Sequence, residues 1–474
     1  QSKNNLSEQT RNSANVLFKK YDIYTTGHST VKDTMNTCIN MYELAVRQAI
    51  DSEDKRKATK NIVSSYLKLS HKTQQELTSH NLLDKEKKTL TDMNIYYYKQ
   101  VFSSMVEQVG YGKGEDLRRE VIERGLSVLR DVDYFLSQSV PMAISDRITY
   151  FLDFKKILSK ASVELCSYID SILSKLFLKQ GVVLYENKAL VPASSSCNQS
   201  VFFGIQCLTN KKNLTHYSMS HVIEEIEDTI NSANFFIVRI SSYLQVIHGD
   251  TCRDKAVFEE EEFDMDLIKD SLDYYRHALM LATSFKYQEG LHSHSSNQTF
   301  SVDIELEAIC YSKLAHIYYN ILKNSFLGEQ YSKMSVDLAV TLMPRNLESE
   351  EWYRTSSSIL QQIRKKREEE EESEKYQKAQ KIIQANPTIF DKINSEFTKS
   401  IESFMSFVVK TYPPYKDFEF NVDEKCKTGK LSRVLVTLMA KYHPDKITEK
   451  DEVKKVIFEE IFKKLSAKLN LFKG

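Results

Sequence analysis

The sequence predicts an all-α protein, because turn residues are scarce and apolar residues recur at helical spacing. The chain has 474 residues, of which only 12 are Gly and 7 are Pro. All-β sandwiches and doubly wound α/β folds need many turn residues, so both classes are disfavoured. Apolar side chains follow a helical period along most of the chain. The 65 basic residues are balanced by 65 acidic ones, which predicts no general attraction to nucleic acid or to anionic lipid.

Residues 1–180 are predicted to form an N-terminal array of amphipathic helices joined by short loops. The predicted helices cover about residues 31–51, 57–77, 84–109, 115–137 and 144–180. A glycine-rich segment at 110–114 separates the third of these helices from the fourth. Because that segment follows a helix rather than a strand, we do not expect it to bind phosphate.

Residues 181–210 are predicted to interrupt the array. Two short apolar runs, at 182–185 and 201–205, are typical of strands, and a stretch rich in Ser, Pro and Asn separates them. We therefore expect an irregular insertion between two helical halves, with a small hairpin as one form of it.

Helices are predicted to resume over residues 211–345. An acidic block at 259–266 lies just before Leu267, where it suits the positive N-terminal end of a helix dipole. Binding of a basic partner is the alternative role for this block.

The region 271–360 carries small and bulky residues at a regular helical spacing. A first-helix pattern falls at Tyr311, Leu314, Ala315 and Tyr318. A second-helix pattern falls at Ser332, Val336, Ala339 and Pro344, with a partial copy at Ser271, Tyr275 and Ala278, and Trp352 begins a further first helix. This region resembles tetratricopeptide repeats, which are stacked helix pairs with small residues at the crossing. The resemblance implies a surface that binds proteins; a plain antiparallel bundle is the alternative.

Residues 346–386 are predicted to form one long charged helix. Basic residues at 364–367 precede a Glu run at 368–372, so opposite charges lie four residues apart on a solvated helix. Asn386 and Pro387 are expected to end it. We interpret this helix as a spacer before a C-terminal domain at 387–474.

The tripeptide His443-Pro444-Asp445 lies between two amphipathic helical patterns. Pro444 disfavours helical geometry at His443, so the first helix should stop there. Over about residues 429–472, the order of helix, tripeptide, charged loop and helix resembles the J-domain of DnaJ-like proteins.

The J-domain resemblance implies contact with a seventy-kilodalton heat-shock chaperone, whose ATP hydrolysis such a domain stimulates without an active site of its own. The chaperone-binding residues that it implies are His443, Pro444, Asp445, Lys441, Lys446 and Arg433. The sequence also departs from the family. The usual first helix is not evident directly upstream, and residues 390–410 are expected to take its packing place. The helix before the tripeptide has Val436 and Thr437 where several basic residues are usual.

These patterns predict a non-enzymatic co-chaperone adaptor, in which the helical stack binds a client and the J-like unit engages the chaperone. The alternative is a scaffold subunit of a large assembly, for example cytoskeletal or ciliary, with a degenerate J fold. No catalytic residue and no cofactor are expected. His292 and His294 lie in a Ser-rich stretch without nearby Cys or acidic ligands, so no metal is expected either.

The location expected for the protein is cytoplasmic. The 7 Cys residues are dispersed and form no C-x-x-C, which is typical of reduced intracellular thiols. No apolar run approaches the ~18 residues that a membrane helix needs, so no membrane insertion is expected.

Overall fold

A computed structural model describes most of the chain. The described residues are 2–20, 27–78, 82–112, 114–140, 142–212, 219–256, 263–284, 303–415, 418–428, 431–443 and 451–470. Within these ranges the chain forms 18 helices and no β-strand, which confirms the all-α prediction. The chain divides into two compact units, Gln1–Ser356 and Ser357–Gly474.

The first unit contains twelve complete helices and the start of a thirteenth. The helices are α1 (Ser2–Lys20), α2 (His28–Gln48), α3 (Ser52–Leu77), α4 (Asp84–Gly110), α5 (Glu115–Tyr134), α6 (Ile144–Leu158), α7 (Val163–Glu186), α8 (Leu190–Thr209), α9 (Ser220–Ala256), α10 (Met265–Thr283), α11 (Ile304–His316), α12 (Ser325–Thr341) and α13 (Glu351–Ala385). Single π-helical turns, Phe135–Ser139 and Ile317–Ile321, extend α5 and α11. Most successive helices pack side by side, as expected for elements joined by short loops.

Side-chain caps explain where several of these helices begin. Ser162 accepts a hydrogen bond from the amide of Leu165 at the start of α7, and Asn324 accepts one from Leu327 at the start of α12. Asp264, in the predicted acidic block, caps α10 in the same way. The Glu run at 259–262 lies outside the described residues.

Buried serine hydroxyls join the facing helices at several crossings. Each donates to a main-chain carbonyl of the neighbouring helix: Ser7 to Ala45 (2.9 Å), Ser174 to Ser200 (2.8 Å), Ser200 to Ser174 (2.7 Å), Ser242 to Ala278 (2.7 Å), Ser271 to Gly249 (2.8 Å) and Ser335 to Ala308 (2.9 Å). Such a bond requires the two helix backbones to approach closely. Each contributes about 0.5–1.5 kcal/mol to stability.

The predicted irregular insertion at 181–210 is wrong. Residues 182–185 are the last turns of α7, and the second apolar run lies inside α8. The reason is a stripe of small residues with helical spacing, buried where α8 meets α7 and α9: Ala193, Cys197, Ser200, Gly204 and Cys207. Phe203 beside this stripe stacks on Phe177 of α7, with ring centroids 5.5 Å apart. These contacts favour helix over the strand propensity of the apolar run.

The helix pair α11–α12 has the small-residue crossing that the spacing predicts. Ala315, Ser332 and Ala339 are buried. The ring of Tyr331 stacks against those of Tyr311 and Tyr318, at centroid distances of 6.1 and 5.5 Å. The geometry is that of a close helix pair, and membership of the tetratricopeptide family stays a prediction.

The second unit contains the end of α13 and five shorter helices. These are α14 (Pro387–Phe397), α15 (Ile401–Thr411), α16 (Val422–Thr428), α17 (Leu431–Lys441) and α18 (Glu452–Asn470). They enclose one apolar core, whose most buried members are Ile393, Phe404, Met405, Val408, Leu435, Leu438, Tyr442, Ile461 and Leu465. The segment 390–410 does pack in this core, as two helices with a break at 398–400.

Candidate functional site

The candidate chaperone-binding site is built on the helical hairpin of α17 and α18. Val434, Leu435 and Leu438 form the buried face of α17, and this helix packs against α18. Ile461 and Leu465 lie on the buried face of α18. The periodic apolar residues of the sequence therefore pack where the helical pattern predicts.

Tyr442 fixes the end of α17. Its side chain is fully buried, and its hydroxyl donates to the carbonyl of Tyr412 at 2.6 Å, with the carbonyl of Val408 at 3.3 Å. The ring also meets the edge of Phe458 on α18, at a centroid distance of 5.8 Å. Burial raises the pKa of the Tyr442 phenol above its usual range. One side chain thus ties α17 to both α15 and α18.

His443 follows directly after this anchor. Its imidazole is half-buried and lies nearly perpendicular to the ring of Phe462 on α18, with centroids 5.2 Å apart and an interplanar angle of 80°. Such edge-to-face packing restrains the ring orientation. The other predicted residues of the tripeptide and its flank, Pro444, Asp445 and Lys446, lie outside the described residues.

Arg433 and Lys441 are both exposed on α17. They are eight residues apart, so they lie about 80° from each other on the exposed side of the helix. Thr437 stands between them and donates its hydroxyl to the carbonyl of Arg433 at 2.8 Å. Val436 beside it is 51% exposed. The structure therefore brings two of the predicted basic residues to one face, which also carries apolar and neutral side chains.

Two contacts at the end of α17 are not predicted by the sequence: the Tyr412 carbonyl accepts from the Tyr442 hydroxyl, and the Phe462 ring packs on the His443 imidazole. Neither carries a local signal. Tyr412 lies 30 residues before Tyr442 in the chain, and Phe462 adds only one more apolar residue to an amphipathic helix.

A second polar cluster lies in the first unit, around the carboxylate of Asp250 on α9. Its Oδ1 accepts from the hydroxyl of Tyr275 on α10 at 2.6 Å. Arg253 and Lys313 each place a nitrogen 3.0 Å from the same oxygen. The cluster joins α9, α10 and α11. It also affects His316, whose pKa is lowered by burial and by the charges of Arg253 and Lys313.

The ion pair of Arg239 with Asp303 is a further polar contact between helices. The guanidinium of Arg239 lies 5.0 Å from the ring centroid of Tyr185 on α7. Asp303 caps α11 by accepting from the amide of Leu306 at 3.1 Å. Burial raises the pKa of Asp303 above its ordinary value. The pair therefore joins α9 to the start of α11 and packs against α7.

The described residues contain no cluster of three or more potential metal ligands. His292 and His294, for which no metal is expected, lie outside the described residues. No helix in the described part of the chain is both long and apolar enough to cross a membrane.

Comparison with known proteins gave no match, either among models of protein families or among curated proteins.

Proposed function

We propose that this chain is a non-enzymatic co-chaperone adaptor. Its C-terminal hairpin engages a seventy-kilodalton heat-shock chaperone, and its N-terminal helices bind a client protein or complex in the cytoplasm. The observation that supports this most is the anchored C-terminal end of α17. Tyr442 ties α17 to α15 and α18, and the imidazole of His443, with which the tripeptide begins, packs edge-to-face on Phe462.

A restrained imidazole is suited to recognition because less entropy is lost when it binds. Pro444 follows His443 in the sequence, and a proline ring restricts its own φ angle. Asp445 adds a carboxylate that can form charge-assisted hydrogen bonds with a partner. Linking this contact to a client-binding unit in one chain raises the local concentration of chaperone at the client.

The second candidate is a scaffold subunit with a degenerate J fold. The exposed face of α17 favours it, because Val436, Thr437 and Ala440 lie there with only Arg433 and Lys441 as basic groups. A weakly charged face gives weak electrostatic steering toward an acidic partner.

Steady-state ATP hydrolysis by a purified seventy-kilodalton heat-shock chaperone distinguishes the two candidates. The full chain is expected to accelerate hydrolysis, and the His443→Gln variant is expected to lose this effect. His248, an exposed imidazole on α9, provides the matched control. His248→Gln should retain the wild-type stimulation. Equal stimulation by His443→Gln and the wild type contradicts the co-chaperone proposal, and no stimulation by the wild type favours the scaffold.

A further inference from the structure

Helix α8 carries no charged side chain. Between Leu190 and Thr209 there is no Asp, Glu, Lys, Arg or His, although charged residues make up 27% of the chain. Its outward side nevertheless exposes Val191 at 68%, Phe202 at 51% and Ile205 at 52%. Phe202 and Ile205 are one turn apart, and exposed apolar side chains that adjoin on an uncharged surface are typical of interaction sites.

These three residues form one stripe with the polar residues between them. At 100° per residue, Val191, Ser195, Asn198, Phe202 and Ile205 all fall within about 80° of the helix circumference. The buried stripe of small residues lies on the opposite side of α8. We call the outward stripe the α8 face.

The α8 face can pack against the α8 face of a second copy that runs in the opposite direction. If two copies of α8 pair antiparallel about a two-fold axis near Asn198, Phe202 of each copy lies opposite the small side chain of Ser195 in the other. Val191 then lies opposite Ile205. A bulky ring over a small residue is the arrangement that lets helices approach closely.

The chemistry of the α8 face also suits a second copy. In a two-fold interface, residues near the axis meet their own counterparts, so any charge there would face a like charge. Asn198 is at the axis, and Gln199 next to it is exposed. The Nδ2 of Asn198 donates to the carbonyl of Ser194 in its own helix at 2.9 Å. A carboxamide also has a second N–H and an oxygen acceptor, with which each can bond to its equivalent in the other copy.

We propose that a second copy of this chain docks on the α8 face, with α8 packed antiparallel to its equivalent. One helix face offers less area than the roughly 800 Å² per partner of a standard stable interface. The dimer is therefore reversible and depends on protein concentration.

Sedimentation equilibrium of the full chain over a wide concentration range tests this proposal. The average mass should rise above the 55.0 kDa of one chain as the concentration increases. Phe202→Lys removes the ring that packs over Ser195 of the other copy and places a cation in an uncharged contact, so it should weaken self-association by at least about tenfold. The matched control is Met280→Lys, an exposed apolar position on α10 that is 60% accessible, and it should associate like the wild type.

A wild-type chain that stays at 55.0 kDa at every concentration overturns the proposal. The same conclusion follows if Phe202→Lys and Met280→Lys associate equally well.

Cross-linking through an introduced cysteine tests the predicted axis directly. Asn198→Cys should form a disulfide-linked dimer under mild oxidation, because the two copies of residue 198 meet in the pairing. Met280→Cys and the wild type control for random collisions and for the native thiols. A dimer from Met280→Cys at the same rate as from Asn198→Cys overturns the antiparallel α8 arrangement.

Discussion

Helices α8 and α12 each place a glycine against a neighbouring segment, but the two approaches differ in what lies opposite. A Cβ atom on Gly204 of α8 would lie 2.6 Å from Cγ1 of Ile230 and 3.1 Å from Oγ of Ser174, which are both side-chain atoms. A Cβ atom on Gly328 of α12 would lie 2.7 Å from Cβ and 3.2 Å from Cα of Tyr319. A side chain can rotate away, whereas the main chain moves only if its whole segment moves. Close approach alone therefore does not determine how strictly a helix crossing requires glycine.

The largest expected effect tests that contrast by adding one methyl group at each site. Gly328→Ala should lower the free energy of unfolding by about 3 kcal/mol, because the main chain of Tyr319 must shift. Gly204→Ala should cost about 1 kcal/mol, because the side chains of Ile230 and Ser174 can yield without a shift of the main chain. Urea denaturation of both variants measures the difference.

Gly110→Ala is the control for the glycine pair, because a Cβ atom there would meet nothing within 4 Å. It should leave stability unchanged or raise it slightly. Equal losses of stability for Gly204→Ala and Gly328→Ala would contradict the claim that a side-chain neighbour tolerates the added methyl group better than a main-chain neighbour.

A smaller effect is expected at two serines of α12. The hydroxyl of Ser335 donates to the carbonyl of Ala308 at 2.9 Å. The hydroxyl of Ser332 is equally buried but has no hydrogen-bond partner among the residues that the structure describes. Ser335→Ala should therefore cost about 1 kcal/mol, and Ser332→Ala should cost nothing or stabilise the protein. Thermal melting of the two variants is the measurement, and equal losses would contradict the hydrogen-bond account.

The crossing of α7 with α8 has two serine hydrogen bonds that can be compared with the bond of Ser335 in α12. Ser174 and Ser200 donate to each other's carbonyls, so Ser200→Ala leaves the bond donated by Ser174 intact. A loss of about 1 kcal/mol is expected, equal to that of Ser335→Ala. A clearly larger loss in the same melting experiment would indicate that the two bonds act cooperatively.

The smallest expected effect is a pH dependence of the free energy of unfolding that comes from His316 in α11. Helices α7 and α8 contain no histidine. The folded pKa of His316 is depressed, so its contribution to stability is complete above its ordinary value of 6.5 and is lost as the pH falls below it. The groups that influence this ring are Arg253, Lys313, Asp250 and Glu351. His316→Gln should flatten the stability profile between pH 7.5 and about 5.5. A wild-type profile identical to that of the variant would show that His316 does not couple to folding.

Helices α8 and α12 also show which parts of the fold can be predicted from the sequence. In α12 the spacing of Ser332 and Ala339 was visible because tyrosines and a closing proline accompany it. In α8 the run Val-Phe-Phe-Gly-Ile at 201–205 is typical of a strand, although small residues from Ala193 to Cys207 follow an equally regular helical spacing. Apolar runs of this length do not distinguish strand from buried helix, and the small residues were the better guide.

The candidate site was predictable only in its local parts. The tripeptide and the two flanking amphipathic patterns are adjacent in sequence, so their arrangement could be inferred. The contacts of Tyr412 and Phe462, and the cluster around Asp250, join residues far apart in the chain. Such contacts depend on how helices pack, which no short sequence pattern specifies.

The two buried thiols of α8 can be used to measure how often α8 separates from the helices that it packs against. Burial raises the pKa of Cys197 to about 11 and that of Cys207 to about 12. Because the thiolate is the reactive form, both sulfurs are almost inert to alkylating reagents while α8 remains packed against its neighbours. The rate at which these two cysteines are alkylated therefore measures how often this part of the molecule opens.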